Sequence, residues 1–168
     1  MVATAGKNKK KKAGPGKNPN ERVVSQNRKA RHDYEILDTL ECGIVLVGSE
    51  VKSLRAGKAS LDEAYARVRD GEVWLVGSDI PEYVEANQFN HDPKRPRKLL
   101  MHRREISKFA APAQQGGGLT LVPLKLYFTE GRAKLLLGLC RGRQKHDKRQ
   151  ALRKTEARRE IQQAMRRR

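Results

Sequence analysis

The sequence has few residues of the kinds that build disulfide frameworks, membrane spans or large aromatic clusters. Its two cysteines, Cys42 and Cys140, are too few for a disulfide-rich scaffold. No apolar run approaches the roughly 20 residues that a membrane-spanning helix requires, and no apolar segment follows the N-terminal lysines as in a secretory signal. Acidic residues are also scarce, with 19 Asp and Glu against 37 Lys and Arg. We therefore expect a cytoplasmic protein with a polyanionic partner.

The formal net charge of +18 is unevenly distributed along the chain. Residues 1–32 carry +9, residues 33–140 carry no net charge, and residues 141–168 carry +9. A neutral body is thus flanked by two equally basic arms. The N-terminal arm is rich in Lys, Gly and Asn and has little to bury, so we expect it to be disordered. The predicted organisation is a Lys-rich arm at 1–22, a folded body at 23–143 and a basic tail at 144–168.

Hydrophobic alternation and turn signals predict three consecutive pairs of strands in the body. The pairs are Asp33–Glu41 with Ile44–Gly48, Ala64–Arg69 with Glu72–Ser78, and Leu119–Phe128 with Arg132–Cys140. They would be joined at Cys42-Gly43, Asp70-Gly71 and Glu130-Gly131. Pro123 lacks an N–H and predicts an edge position or a bulge. Because an open sheet would leave exposed edges, we expect a mainly β fold with a small, closed, six-stranded antiparallel barrel.

Two or three short helices are expected beside the strands. Ser49–Ala56 has Ser49 as its candidate N-cap, Val51 and Leu54 on one face, and Gly57 just beyond its end. A second helix, Arg97–Ala111, would place Ile106, Phe109 and Ala110 on one face and stop at Pro112. The following segment, Gln114–Gly118, is predicted to be a flexible turn.

The sequence contains no motif for metal, cofactor or nucleotide-phosphate chemistry. Its four histidines, His32, His91, His102 and His146, are far apart and show no ligand spacing with the cysteines. The glycine run at 116–118 lacks the Lys-Ser/Thr of a P-loop. Cys42 lies among apolar residues and is expected to be a small buried hydrophobe rather than a nucleophile. We expect no metal, cofactor or catalytic residue; the enzymatic alternative is a ribonuclease or RNA-modifying enzyme with His32 and Glu41 as its acid–base pair.

Three basic regions are candidates for contact with RNA. They are Asn27–His32, the stretch from Lys94 to Lys108, and the group Lys52, Arg55 and Lys58 around the first predicted helix. Arginine suits phosphate binding and base stacking because its guanidinium is planar and weakly hydrated. A solvated surface is the alternative for each region. Glu41 could accept hydrogen bonds from a guanine edge or face away from RNA, and composition favours the second.

The C-terminal tail has the composition of a helix but little to bury. Gln144–Arg168 is rich in helix formers and contains no Gly or Pro. On a helix its apolar residues form only a narrow stripe, made of Ala157, Ile161, Ala164 and Met165. Such a stripe cannot hold a helix against its ordering cost, so we expect a tail that is largely unfolded when free and helical in an RNA-lined groove. A permanently docked terminal helix is the alternative.

An ordered series of motifs links the sequence to a known family. The motifs are Asn27–Tyr34, Glu50–Ala59, Asp70–Glu72, Asp92–Pro93, Arg97–Leu100 and Lys145–Arg149. Together they resemble the bacterial SsrA-binding protein family, also called SmpB, from about Val24 to near the C-terminus. The resemblance implies an OB-like barrel that binds the tRNA-like domain of transfer-messenger RNA and accompanies it into stalled ribosomes. There the protein would stand in for the missing codon–anticodon half of a tRNA.

Matching positions imply which residues carry this function. The RNA-binding face would contain Asn27, Arg31, His32, Glu41, Leu100 and Lys134, so the resemblance reverses the composition-based expectation for Glu41. The basic regions add Lys52, Arg55, Lys58, Arg97 and Lys98 as candidates. Gly142, His146, Asp147, Lys148 and Arg149 would act at the decoding centre, with the tail in an empty mRNA channel. A ribosomal or ribosome-assembly protein with basic extensions remains the alternative function.

The charge distribution predicts RNA binding that weakens as salt rises. Each phosphate contact releases counterions, so log affinity should fall by roughly 0.7 per unit of log salt for each contact on a single strand, and somewhat more on a duplex. Dissociation constants for a structured RNA, measured in a series of salt concentrations, test this expectation. An affinity that does not change with salt would contradict the electrostatic part of the hypothesis.

Overall fold

The computed structural model describes residues 21–84 and 90–143. Within them the chain forms seven strands: β1 (Glu21–Gln26), β2 (Tyr34–Ile44), β3 (Tyr65–Arg69), β4 (Glu72–Val76), β5 (Arg97–Leu100), β6 (Leu119–Thr129) and β7 (Arg132–Gly142). Helix α1 spans Arg28–Asp33 and α2 spans Gly48–Arg55. A third helix, α3 at 103–114, has α-helical turns at Arg103–Glu105 and Ala111–Gln114 and a π-helical turn at Ile106–Ala110 between them. None of these described helices is long and apolar enough to cross a membrane.

Six of the strands close a ring, and β1 is added outside it. The sequence predicted a closed ring of six strands but not its members, because the predicted strand Ile44–Gly48 is wrong and β5 takes its place. Neighbours follow the order β6, β3, β4, β5, β2, β7, and β7 pairs again with β6. All the pairings are antiparallel. β6 serves two further neighbours because it is long: Leu121 pairs with β3, while Lys125 to Thr129 pair with β1. The ring encloses a core of fully buried residues that includes Leu54, Leu75, Leu99, Leu121, Leu135 and Leu137.

Two of the three predicted hairpins are confirmed. Asp70 and Gly71 both have positive φ, 53° and 73°, and Glu130 and Gly131 have 51° and 76°. Positive φ at both central residues is the requirement of a two-residue type I′ turn, whose twist matches that of the strands. The register shifts between Pro123 and Lys125, which confirms the bulge predicted there.

The predicted turn at Cys42-Gly43 is wrong. Strand β2 continues through both residues, with Cys42 opposite Leu135 of β7 and Gly43 opposite Leu100 of β5. A Cβ on Gly43 would lie 3.2 Å from the Leu100 Cβ. The glycine therefore permits the close approach of β5 rather than a reversal of the chain. Local turn propensity could not show this, because the partner strand lies more than fifty residues away in sequence.

The predicted helix Arg97–Ala111 begins too early, because Arg97–Leu100 is strand β5 between β4 and β2. The helix starts after His102, whose backbone N–H donates to the Glu105 carboxylate at 2.8 Å. It also continues beyond Pro112, since the π-helical turn precedes the proline and places it in the first turn of the last α-helical piece. Phe109 and Ala110 pack in the core, as expected.

Three further boundaries differ from the sequence prediction. β1 begins at Glu21, inside the predicted N-terminal arm. Helix α1 was not predicted, although Asn27 followed by Arg28 is a recognisable N-cap signal. Helix α2 is capped at Val47 rather than Ser49, since the Val47 N–H donates to Glu50 at 2.8 Å. Residues 1–20 and 144–168 lie outside the described residues, and so do the predictions made for them.

A buried ion pair joins α2 to β5. The side chains of Glu50 and Arg97 are both completely buried, with Arg97 Nε 2.9 Å from Glu50 Oε1. Arg97 Nη1 also donates to the carbonyl and hydroxyl of Ser78, and Nη2 donates to the Pro93 carbonyl. Arg95, at the surface, donates two further hydrogen bonds to Glu50. Nearly every polar atom of the pair is thereby satisfied, which is the condition for burying charge.

The burial of Glu50 predicts that breaking its ion pair costs much more stability than breaking an exposed ion pair. Glu50→Ala would leave the Arg97 charge buried without its partner and should lower the free energy of unfolding by about 3–5 kcal/mol. Glu72→Ala is the matched control, because it removes an exposed ion pair with Lys98 of similar length, 2.5 Å. That control should cost about 0–1 kcal/mol. Urea unfolding of both variants provides the measurement, and equal losses would contradict the prediction.

Candidate RNA-binding surface

An open groove lies where β2, β5 and β7 meet the β3–β4 hairpin and α3. Its volume is about 810 Å³. Four residues that the sequence predicted as RNA-binding line it together: Glu41, Lys98, Leu100 and Lys134. They come from β2, β5 and β7, which lie side by side in the ring although β5 is far from the other two in sequence. Cationic, carboxylate and apolar groups thus meet in one concave surface, which we call the rim groove.

Glu41 is held in the rim groove by two neighbours. Lys134 Nζ lies 2.5 Å from Glu41 Oε1, and the Tyr127 hydroxyl donates to Oε2. These side chains come from β2, β7 and β6, with Tyr127 directly opposite Lys134 in the β6–β7 register. The hydrogen bond from Lys134, followed by that from Tyr127, lowers the pKa of the Glu41 carboxyl below its usual value. Glu41 is therefore an ionised acceptor at neutral pH, suited to base amino and imino groups.

Leu100 and Lys98 extend the rim groove along β5. Leu100 is 53% exposed, which is unusual for a leucine flanked by two paired strands. Lys98 Nζ lies 2.5 Å from Glu72 Oε1, across the β4–β5 pair. An exposed leucine beside ion pairs offers an apolar surface for a base or ribose between groups that can pair with phosphate.

Helix α1 presents a second basic surface. Arg28, Lys29, Arg31 and His32 are exposed, while Ala30 packs beneath them against Val122 and Leu124. Asn27 differs from them, since it is only 2% exposed. Its Oδ1 accepts the Ala30 N–H at 2.8 Å and its Nδ2 donates to the Leu61 carbonyl at 2.9 Å. Asn27 therefore begins α1 and fixes its position, whereas Arg31 and His32 reach solvent.

Helix α2 carries the third predicted region. Lys52, Arg55 and Lys58 are all exposed, and Lys52 Nζ lies 5.6 Å from the centre of the Tyr83 ring. The opposite side of the helix is fixed by Leu54 in the core and by the Ser53 hydroxyl, which donates to the Pro81 carbonyl at 2.6 Å. Lys52 and Arg55 on this rigidly held helix and Lys58 just beyond its end form a basic surface.

The structure places Arg97 in the core, which corrects its assignment to the RNA-binding surface. The stretch from Lys94 to Lys108 looked uniformly basic because one-dimensional charge counting cannot tell which face of a strand is buried. On β5 the side chains alternate, so Arg97 and Leu99 are buried while Lys98 and Leu100 face outward. Arg97 holds Glu50 and is not available to a ligand in this arrangement.

Tyr127 and Lys125 are site residues that the sequence analysis missed. Lys125 Nζ lies 4.8 Å from the centre of the Tyr127 ring and also pairs with Glu21 of β1. Burial, followed by the hydrogen bond to Glu41, raises the pKa of the Tyr127 hydroxyl. A signal was present, because extending the register of the predicted β6–β7 hairpin from its turn places Tyr127 opposite Lys134.

The described residues give no support to the enzymatic alternative. His32 Nδ1 lies 3.0 Å from Asp33 Oδ1, whereas Glu41 is occupied by Lys134 and Tyr127, so the proposed acid–base pair is not assembled. Both ring nitrogens of His91 are bonded, to Ser49 and to the Ile80 carbonyl. Burial raises the pKa of the Cys42 thiol to about 12, which makes it a poor nucleophile. No group of three or more potential metal ligands occurs within 21–84 and 90–143.

Comparison with known proteins agrees with this geometry. The family model described as SmpB protein matches residues 24–167. The chain belongs to the SmpB family. Among its relatives, the SsrA-binding protein of Rhodopirellula baltica is 57% identical over 150 residues, covering 89% of this chain and 85% of the relative. The SsrA-binding protein of Thermobifida fusca is 52% identical over 160 residues, covering 95% and 98%.

A solved structure supports the same assignment. The structure described as "tmRNA-SmpB: a journey to the center of the bacterial ribosome" matches with a TM-score of 0.62 and 50% sequence identity, covering 77% of this chain and 94% of that chain. SmpB proteins are non-enzymatic RNA-binding proteins. Membership of the SmpB family therefore agrees with a groove built from paired charges and an exposed leucine rather than from assembled catalytic groups.

The contacts of Glu41 predict how its pKa responds to substitution. Lys134→Met removes the larger cause of the lowered value and should raise the Glu41 pKa towards its usual range. Tyr127→Phe removes the second hydrogen bond and should raise the pKa less. NMR titration of the Glu41 side-chain carboxyl carbon measures both changes. Lys58→Met, which removes a cation that makes no ion pair with Glu41, is the control and should leave the titration unchanged. A larger rise of the Glu41 pKa in Tyr127→Phe than in Lys134→Met would contradict the assignment of Lys134 as the larger cause.

Proposed function

We propose that this protein binds the tRNA-like domain of transfer-messenger RNA, the SsrA RNA, and delivers it to stalled ribosomes for peptide tagging and release. The observation that carries the proposal is the rim groove, in which Glu41, Lys98, Leu100 and Lys134 meet. The names of the relatives support the identity of the RNA, and the solved structure with tmRNA in its description supports the ribosome as the second partner. The protein would act in the cytoplasm as an adaptor without a cofactor.

The rim groove and helix α1 would divide the work of recognition. Arg31 and His32 are exposed on α1 and can bind phosphate and stack on a base, respectively. The ionised Glu41 can accept from a base edge, while Lys134 offsets the repulsion between that carboxylate and the RNA backbone. Asn27 contributes by fixing α1 rather than by touching RNA. The ring of six strands would serve as an OB-like barrel that holds these groups at fixed positions.

The C-terminal tail would perform the second step, on the ribosome. Strand β7 ends at Gly142, and the Arg143 N–H donates to the Asp33 carbonyl at 3.1 Å, which places Arg143 beside the end of α1. We propose that Gly142, His146, Asp147, Lys148 and Arg149 bind at the decoding centre and that the remaining tail forms a helix in the mRNA channel. A channel that still holds mRNA would exclude this basic helix, which gives a physical basis for selecting stalled ribosomes.

Truncation after Arg143 should separate the two steps. The shortened chain keeps the rim groove, α1 and α2, so it should retain its specific binding to the tRNA-like domain, with a loss limited to the non-specific attraction of the tail's positive charge. Tagging of a stalled peptide in a purified translation system should be lost. Electrophoretic mobility shift and a tagging assay measure the two quantities. Equal loss of both would show that the tail belongs to the primary RNA site and would contradict the proposed division.

The reciprocal variant is Lys134→Ala in the full chain. Removing one partner of the Glu41–Lys134 pair leaves a carboxylate facing RNA without compensation, so affinity for the tRNA-like domain should fall about tenfold or more. Tagging should then recover at high RNA concentration, because the tail is intact. Arg132→Ala removes the same charge from an exposed residue outside the rim groove and the three basic regions, and it is the matched control. If Lys134→Ala and Arg132→Ala weakened binding equally, net charge rather than the groove would account for recognition.

A further inference from the structure

We propose that the outer face of the β3–β4 hairpin is a stacking platform for an unpaired base of the same RNA that occupies the rim groove. The platform is centred on Trp74, and its occupant is a single-stranded segment next to the structured part of the tRNA-like domain. This inference rests on the proposed function, since it extends the RNA-binding surface. The experiment below distinguishes its failure from a failure of that function.

Strand alternation places two aromatic rings and two arginines on this face. Tyr65, Arg67 and Arg69 of β3 are exposed, whereas the intervening Ala66 is buried in the core. On β4 the buried residues are Val73 and Leu75, which leaves Trp74 half-buried on the outer side. Trp74 lies directly opposite Arg67, and Tyr65 lies opposite Val76. Tyr65 is therefore the diagonal neighbour of Trp74, within reach of a second base.

The position of Trp74 is not required by the core. It is the single tryptophan of the chain, and the core is filled by other side chains, mostly aliphatic ones together with Phe109 and Phe128. On the neighbouring strand β5, Lys98 lies opposite Trp74. The indole therefore lies between two cations, Arg67 on β3 and Lys98 on β5. An aromatic ring between cations on a sheet face is the arrangement that binds single-stranded nucleic acid by stacking and phosphate contact.

The charges on the platform leave one guanidinium free for phosphate. Lys98 pairs with Glu72 at 2.5 Å, and Arg69 pairs with Asp70 at 3.3 Å. Among the described residues, the side chain of Arg67 makes no hydrogen bond or ion pair. A phosphate can therefore bind Arg67 without displacing an internal partner, and guanidinium groups bind phosphate in a bidentate manner.

The platform is continuous with the rim groove. Arg67, Arg69, Asp70, Glu72, Trp74 and Pro96 line a shallow cavity of about 350 Å³. Asp70 and Glu72 line the rim groove as well, and so does Lys98, the register partner of Trp74. One RNA can thus contact both surfaces by passing over the tip of the β3–β4 hairpin. This continuity, rather than the basic face alone, identifies the occupant as the RNA of the rim groove.

The single tryptophan allows a direct test with the full-length protein. We expect the fluorescence of Trp74 to be quenched when the tRNA-like domain is added, with saturation at the same concentration as binding measured by mobility shift. Trp74→Ala should weaken binding about 5- to 100-fold, the usual loss when one stacked base loses its aromatic partner. Trp74→Phe should retain most of the affinity because it keeps a ring.

Substitution of Arg67 tests the platform without disturbing the core. Arg67→Gln should weaken binding about three- to tenfold, because it removes one phosphate contact from an exposed side chain. Arg132→Gln, at the tip of the β6–β7 hairpin, removes the same charge from an exposed residue outside both surfaces and should have little effect. Equal effects of Arg67→Gln and Arg132→Gln would overturn the platform, even if Trp74→Ala failed to fold.

The remaining outcomes separate the two proposals. If the tRNA-like domain binds and Lys134→Ala weakens it, but the Trp74 fluorescence does not change, the platform is wrong and the proposed function stands. If purified ribosomal subunits quench Trp74 and the tRNA-like domain does not, the occupant is ribosomal RNA and the inference is overturned. If the tRNA-like domain does not bind at all, the proposed function itself fails.

Discussion

The buried ion pair between Glu50 and Arg97 is the interaction on which the arrangement of the RNA-binding surfaces depends. Glu50 belongs to α2 and Arg97 to β5, and Arg97 also binds Ser78 and Pro93 in the segment between β4 and β5. Burial disfavours the charge on Glu50, but Arg95, the Val47 N–H and Arg97 together lower the pKa of its carboxyl. With both charges kept, the pair fixes the basic face of α2 and the groove-facing side of β5 in one orientation.

The direction of that pKa shift also determines the pH range in which the ion pair stabilises the protein. A carboxyl whose pKa is lower in the folded state contributes above its unfolded pKa, and the contribution is lost as pH falls through the folded value. Glu50 therefore stabilises the protein throughout the neutral range and ceases to do so only in acid. The pKa of Glu41 is lowered as well, but Glu41 lies at the surface, where solvent reduces its contribution to stability.

Attraction and recognition are assigned to different parts of this chain. The two arms carry all of the excess positive charge, whereas 33–140 is neutral. Arms of this kind raise the rate and affinity of encounter with any polyanion but do not distinguish one RNA from another. Discrimination would come from the neutral body, where Glu41, Leu100 and the platform around Trp74 offer a carboxylate, an apolar surface and a stacking face. A basic body would bind RNA more tightly but less selectively.

The sequence by itself determined the local features of this protein. The Asp70-Gly71 and Glu130-Gly131 turns, the bulge near Pro123, the core side of α3 and the family motifs all depend on neighbouring residues, and the sequence predicted each of them. Closure of the sheet into a ring was also predictable, because exposed edges are costly, but the place of β5 in that ring was not.

Only the tertiary structure decided which residues of a motif face the solvent. Arg97 and Lys98 are adjacent basic residues, yet one is buried against Glu50 and the other lines the rim groove. Cys42-Gly43 has the sequence of a turn, yet β2 runs straight through it because β5 lies beside it, and Asn27 is buried with its amide donating to the distant Leu61 carbonyl. In each case the deciding partner lies far away in the chain or on the opposite face of a strand. Composition and periodicity carry no information about such partners.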